Sequence, residues 1–317
     1  MRAAILDDYQ GVALASADWP SLEPVVEATV FRDTRANVDE VAKRLADFEI
    51  VVAMRERTPF PKALLERLPK LKLLITTGKR NASIDVKAAA TQGIVVCGTD
   101  MLPYPTAELT WGLILSLVRN IPREERNMRT GGWQTTVGVG LKGKTLGVFG
   151  LGNLGSQVAR IGKAFGMEAI AWSQNLTAER ATSVGASLVS KEELFRRADV
   201  VTIHVVLSER TRGAVAAAEL ALMKPSAYLV NTSRGPIVDT AALIAALERR
   251  RLAGAALDVY DREPLPADHP LRKLDNVVLT PHLGYVTAEG FRVAYSHAVE
   301  DIRAFLDGKP VRVLSAG

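Results

Sequence analysis

Four stretches of this sequence have residue types and spacing suited to ligand chemistry. The first is Gly150-Leu151-Gly152-Asn153-Leu154-Gly155, in G-x-G-x-x-G spacing, directly after the apolar run 145–149. Val158, Ile161 and Phe165 then recur at helical intervals, and a second apolar run begins at 169. Strand, tight turn, helix, strand is the context that lifts such glycines above a chance glycine-rich turn. The first glycine permits the turn, the second lets backbone approach a pyrophosphate, and the third lets helix pack on strand. Free N–H groups and the positive end of the helix dipole would then hold the phosphates. The other three stretches are Asn231-Thr232-Ser233-Arg234-Gly235, Asp261-Arg262-Glu263-Pro264 and Thr280-Pro281-His282-Leu283-Gly284, each close behind an apolar run. In open α/β sheets, ligands bind outside the carboxyl ends of the strands, which is where these residues would sit.

The elements that must carry them alternate. Residues 2 to about 100 read as a first α/β unit, with strands over 3–6, 28–31, 50–54, 71–76 and 94–97. Between them lie amphipathic stretches such as Val38, Val41, Leu45 and Phe48, with Asn37 or Asp39 as caps. A long helix is expected over 106–120, bounded by Pro105 and Pro122. It is apolar nearly all round, which predicts burial between domains or at a subunit contact. Glycines at 131–132, 138 and 140 signal loops. A second unit starts near Gly143, with further strands over 200–206, 227–231, 255–259 and 277–279. Ser190 and Glu193 form a capping box, and Asp239 caps a helix over 240–250. The strands lack polar alternation, as parallel strands covered on both faces do. A last helix over 287–306 stops at Gly308-Lys309-Pro310.

Composition excludes several classes. The 317 residues, 48% hydrophobic and 24% charged, suit a globular protein of about two domains. The formal charge of +5 is scattered among acids, which argues for a mildly basic surface rather than nucleic-acid binding. One cysteine, Cys97, excludes an internal disulfide framework and a cysteine metal site, and four dispersed histidines suggest no metal. No signal peptide and no membrane-spanning run is evident, so a cytoplasmic protein is expected.

In order and spacing, the fingerprint 150–155, the motif 231–235, Leu257-Asp258-Val259-Tyr260, Glu263-Pro264 and the motif 280–284 make the chain similar to the D-isomer-specific 2-hydroxyacid dehydrogenases. The resemblance covers nearly the whole chain. It implies an α/β fold in which a doubly wound parallel Rossmann domain, 105–286, is inserted into a smaller flavodoxin-like α/β domain, 1–104 plus 287–317. It further implies an active site in the cleft and a homodimer joined through the cofactor domains. By that likeness His282 is the general acid/base, Glu263 orients its ring and Arg234 binds the substrate carboxylate, a task for a planar guanidinium that lysine fills poorly. A histidine by itself is more often a satisfied loop residue; Arg234 and Glu263 tip the reading to catalysis.

The matching cofactor contacts are Gly150, Gly152, Asn153, Leu154 and Gly155 at the pyrophosphate, and Val205, Val206 and Thr211 beside the adenosine. Thr232 and Ser233 fall near the nicotinamide ribose, with Asp258 at the carboxamide and Gly284 nearby. One departure bears on cofactor choice. The second Rossmann strand normally ends in an acid that binds the ribose 2′-OH; here Ser173 and Gln174 stand there, with no Asp or Glu in the turn. That predicts NADP(H) in preference to NAD(H), with dual use open. On the substrate side the family's glycine loop takes the unusual form Thr77-Gly78-Lys79-Arg80, whose Gly78 and Lys79, with Arg55, could hold a carboxylate. The length leaves no room for an appended regulatory domain, which argues against the longer phosphoglycerate dehydrogenases, and Glu263 argues against a formate dehydrogenase. The expected activity is interconversion of a small 2-keto acid, of glyoxylate or hydroxypyruvate type, with a D-2-hydroxy acid. The alternatives are a nucleotide-sensing corepressor-like binding protein and a dehydrogenase for a bulkier keto acid.

Overall fold

The computed structural model describes residues 1–35 and 37–315. The chain forms two compact units, Met1–Leu102 with Val286–Gly317, and Pro103–Tyr285. The expected boundaries lay at 104/105 and 286/287.

The first unit is built from β1 Arg2–Ile5, β2 Glu27–Val30, α1 Val38–Leu45, β3 Ile50–Ala53, α2 Lys62–Leu65, β4 Leu73–Thr76, α3 Val86–Thr91 and β5 Val95–Gly98. The strands pair in parallel in the order β2-β1-β3-β4-β5, the flavodoxin-like arrangement. Helix starts are set locally: the Asn37 side chain accepts from Asp39 N–H, and Asp85 accepts from Ala88 N–H.

The second unit runs α4 Pro105–Val118, α5 Ile121–Arg129, β6 Thr145–Phe149, α6 Asn153–Ala164, β7 Glu168–Trp172, α7 Ala178–Ser183 and β8 Ser187–Leu188, then α8 Lys191–Arg197, β9 Val200–Ile203, α9 Ala217–Leu222, β10 Tyr228–Asn231, α10 Thr240–Glu248, β11 Gly254–Leu257 and β12 Val277–Leu279. Its seven parallel strands lie in the order β12-β11-β10-β9-β6-β7-β8, a Rossmann sheet with one strand added at the β12 edge. The apolar helix α4 is covered within this unit: Trp111, Ile114, Leu117 and Val118 share one buried cluster with Leu146, Val148, Val230 and Ala256. Two expectations change. Pro122 does not merely end α4; Asn120 turns in a left-handed conformation (φ 55°) and Pro122 sits in the first turn of a new helix, α5, where its missing N–H costs nothing. The strand expected over 200–206 ends at Ile203, because the chain beyond it leaves the sheet.

The register places the carboxyl ends of six strands level. Trp172, Phe149, Ile203, Asn231, Leu257 and Leu279 form one paired row. The first residues beyond that row are therefore Ser173, Gly150, His204, Thr232, Asp258 and Thr280.

A final helix, α11 Ala288–Leu306, returns to the first unit, where buried Phe291 and Tyr295 stack. After it the chain pairs with the edge strand: Leu314 N–H donates to Val96 O and Gly98 N–H to Arg312 O. Arg312 Nε holds Asp301 Oδ1 at 2.9 Å. Asp301 is fully buried, and its Oδ2 has no hydrogen-bond partner. Burial pushes this carboxyl up to about 7, against the opposing pull of Arg312. The folded value exceeds the ordinary 3.8, so the folded chain keeps a proton that the unfolded chain releases. Stability then falls as pH rises between about 4 and about 7, and levels above. Asp301→Asn removes that titration. Across pH 4.5 to 8 its denaturant midpoint should fall less than the parent's, by an amount on the order of 1–3 kcal/mol in unfolding free energy. Parallel curves would show that Asp301 does not titrate there.

Candidate active site

The fingerprint glycines are needed for three different reasons. Gly150 has φ 105°, and its N–H donates to Trp172 O at 2.8 Å. Gly155 packs so tightly that a Cβ there would lie 2.0 Å from Gly150 O. Gly152, just before α6, is the opposite case: a Cβ would meet nothing within 4 Å. Behind that open space, among the described residues, the N–H groups of Asn153 and Leu154 have no partner, at the N-terminus of a 12-residue helix. Open space, free donors and the helix dipole form a cradle that fits the pyrophosphate of a dinucleotide.

Three loops from neighbouring strand ends gather the reactive side chains. After β10, Asn231 Oδ1 accepts from Ser233 N–H and its Nδ2 donates to Arg234 O, a closed turn that presents Arg234. After β11, Tyr260 N–H donates to Glu263 Oε1 at 3.0 Å. Glu263 Oε2 stands 2.5 Å from His282 Nδ1. His282 itself adopts φ 58°, a conformation that side chains usually avoid. Its loop is held by Asp258, which is fully buried. Asp258 Oδ1 accepts from Leu283 N–H at 2.7 Å and from the Thr280 hydroxyl at 2.6 Å, and Oδ2 accepts from Gly284 N–H at 2.8 Å. Burial raises the Asp258 carboxyl above its ordinary range, and these hydrogen bonds pull it back. A carboxylate on Nδ1 fixes the orientation of the imidazole ring.

The profile of the D-isomer-specific 2-hydroxyacid dehydrogenase NAD-binding domain matches residues 111–284. The chain belongs to the D-isomer-specific 2-hydroxyacid dehydrogenase family. It is 42% identical over 256 residues to a glyoxylate reductase of Aeropyrum pernix, covering 78% of this chain and 76% of that one. It is 39% identical over 292 residues to a D-3-phosphoglycerate dehydrogenase of Methanocaldococcus jannaschii, covering 91% of this chain but 55% of the relative, so it spans about half of that protein's length. A crystal structure of a phosphoglycerate oxidoreductase from Vibrio cholerae superposes with a TM-score of 0.93 at 37% identity, covering 97% of this chain and 99% of that one. The matched domain is one that binds a nicotinamide dinucleotide.

Other residues expected to serve this dehydrogenase family's cofactor fall around the same sheet edge. Ser173 is half-buried and Gln174 exposed in a turn closed by Leu176 N–H donating to Ser173 O, and neither side chain is hydrogen-bonded among the described residues. Arg180 Nη2 reaches Ser156 Oγ on α6 at 3.3 Å. Val205 is half-buried, Val206 is 84% exposed, and Thr211 closes their loop by donating to Val206 O. The Ser233 hydroxyl donates to Val205 O, and Thr232 Oγ1 lies 2.8 Å from Thr110 Oγ1. His204 Nε2 meets Thr202 Oγ1 at 2.8 Å, and burial pushes its imidazole down to about 4.

Three residues were not singled out for their positions by the sequence. The Tyr260 hydroxyl lies 3.0 Å from Leu257 O and 2.9 Å from Thr280 O, joining the Glu263 loop to the His282 loop. Thr106 donates to Gly284 O, and Thr110 supports Thr232. Two threonines four apart on an otherwise apolar helix face were the available signal.

The substrate-side residues belong to the first unit. Arg55, just past β3, has φ 52° and donates from its N–H to Thr77 Oγ1. A Cβ on Gly78 would lie 2.1 Å from Arg55 Nη1, so the guanidinium lies directly over that glycine. Lys79 Nζ forms an exposed ion pair with Asp100 Oδ1 at 2.9 Å. Among the described residues no cluster of three or more His, Cys, Asp or Glu could hold a metal, and no helix is long and apolar enough to cross a membrane.

Asp258→Asn keeps the side-chain size but turns one acceptor into a donor facing Leu283 N–H or Gly284 N–H. Chemical unfolding should show a loss of about 1–3 kcal/mol, the cost of an unmatched buried group. Parental stability would mean that these contacts hold nothing.

Proposed function

We propose that this chain interconverts a small 2-keto acid and a D-2-hydroxy acid by hydride transfer. The observation that carries the reading is the 2.5 Å contact of Glu263 with His282 Nδ1, on a loop pinned by buried Asp258. With Nδ1 engaged, His282 Nε2 gives a proton to the substrate oxygen on reduction and takes it back on oxidation. Arg234 grips the substrate carboxylate with a planar fork and polarises the adjacent carbonyl. The bound nicotinamide supplies or accepts the hydride. Asn153 and Leu154 hold its pyrophosphate, Ser173 and Gln174 meet the adenosine ribose, and Val205, Val206 and Thr211 border the adenine. Thr232 and Ser233 serve the nicotinamide ribose, whereas Asp258, expected at the carboxamide, is fully buried with both oxygens taken by Thr280, Leu283 and Gly284 and acts by holding their loop. Arg55, Gly78 and Lys79 contribute cationic and backbone donors toward the substrate carboxylate. A glyoxylate- or hydroxypyruvate-like acid is the substrate favoured by the likeness to glyoxylate reductases.

The cofactor reading is NADP(H) over NAD(H). A carboxylate after β7 would repel a 2′-phosphate, whereas Ser173 and Gln174 can donate hydrogen bonds to one. The chain is further proposed to act as a homodimer. Trp133 is 71% exposed and Val137 95% exposed, close in sequence to exposed Ile121 and Met128, which is more apolar surface than an isolated subunit favours.

Initial rates with glyoxylate, hydroxypyruvate, pyruvate and phenylpyruvate, each with NADH and NADPH, test the reading. His282→Ala should lower kcat by roughly 10²–10⁴-fold while cofactor binding persists; undiminished turnover would refute the assignment. Ser173→Asp should shift the kcat/KM ratio toward NADH by roughly tenfold or more, about 1.4 kcal/mol of repulsion. A ratio that stays put would remove Ser173 from cofactor choice.

A further inference from the structure

A cavity of about 170 Å³ lies in the second unit between α10, the end of β11 and the loop after Tyr260. None of its lining residues belongs to the fingerprint or to the His282 loop. Its body is apolar, walled by Leu243, Leu257, Val259 and Leu271. Its roof is fixed, because Arg272 donates to Pro266 O from Nε and to Leu265 O from Nη2, at 2.9 and 2.8 Å. The rim is polar and carries both signs of charge, Arg262 and Asp261. Arg262 makes no hydrogen bond or ion pair among the described residues. Asp261 Oδ2 accepts from Thr240 Oγ1 at 2.6 Å, and its other oxygen is unbonded.

We propose that this cavity binds a small aliphatic α-amino acid, of valine or leucine size, as an effector. A cavity of about 150 Å³ lined by apolar side chains takes up a molecule as large as benzene, so a branched four-carbon side chain fills this one. The carboxylate of the ligand pairs with Arg262 and its ammonium with the open Asp261 oxygen, a match that neither a simple acid nor a simple amine provides. The cavity wall includes the joint between two catalytic loops. Gly235, next to Arg234, lies so close to Tyr260 that a Cβ would sit 2.1 Å from its carbonyl carbon, and Tyr260 N–H holds Glu263. A ligand that spreads this wall moves Arg234 and Glu263 together. The regulatory consequence rests on the function proposed above; the binding itself does not.

Isothermal titration of the 317-residue chain with L-leucine, isovalerate and isoamylamine tests the site without any turnover. L-Leucine should bind saturably, and the other two at least about tenfold more weakly. Arg262→Ala touches an exposed side chain with no partner, so folding should be kept while leucine affinity drops roughly tenfold. Val259→Phe, checked by its melting temperature, should fill the cavity and abolish binding. Equal binding of isovalerate would overturn the paired head group. No binding of leucine, or unchanged binding in Arg262→Ala, would overturn the site. In the same samples, keto-acid reduction should change with leucine in the parent and not in Arg262→Ala. If no keto acid is reduced but leucine still binds through Arg262, the proposed activity fails and the site stands.

Discussion

The buried carboxylate of Asp258 is the interaction on which the rest of the site depends. Placing a carboxylate where no water reaches it is costly unless its oxygens are met by donors. Here the donors are Thr280, Leu283 and Gly284, three residues of one short loop. Satisfying Asp258 therefore fixes the backbone on both sides of His282. That backbone is strained, with His282 at φ 58°, a conformation costing about 1–3 kcal/mol when held by an ordinary residue. Glycine would adopt it freely but would supply no imidazole. The Asp258 contacts offset the strain and keep the ring against Glu263.

Asp258 can do this only because of strand register. Leu257 pairs with Leu279, so the residue after each strand lies beside the other, Asp258 next to Thr280. The same level row continues through Asn231, Ile203, Phe149 and Trp172. A slip of one residue in any pair would reverse the faces of its side chains and separate the motifs. The first unit repeats the device on a smaller scale. Ala53, Thr76 and Gly98 form a paired row, and Arg55, Gly78 and Asp100 each lie two residues beyond it. That common offset brings Arg55 over Gly78 and Lys79 onto Asp100.

Much of this was legible in the sequence where the cause is local. The spacing of Gly150, Gly152 and Gly155 between two apolar runs sufficed for the strand–turn–helix. The caps at Asn37, Ser190 with Glu193, and Asp239 act within three residues and are found where expected. Motif order sufficed for the family, which the profile over 111–284 bears out. What escaped depends on distant partners or on very short elements. The two-residue β8 has no pattern to read. Helix α5 begins after a left-handed Asn120, and an asparagine there signals the end of α4 but not the start of a new helix. The pairing of Leu314 with Val96 joins segments more than 200 residues apart. Tyr260 looked like the end of a motif, and only the fold shows its hydroxyl lying against two loops.

The glycines at the loop junctions explain why these loops act as a unit. Gly155 presses on Gly150 O, and Gly235 presses on the Tyr260 carbonyl, each closer than any side chain allows. Backbone in contact with backbone has no rotamers to absorb a displacement, so movement on one side is passed to the other. Gly235 thus couples the turn that presents Arg234 to the turn that presents Glu263, and Tyr260 couples the latter to the His282 loop. Arg234, Glu263 and His282 are separate in sequence by up to 48 positions, from 234 to 282. Their loops are nonetheless joined, the first two backbone to backbone and the last two through the Tyr260 hydroxyl, so a displacement of one is passed to the next.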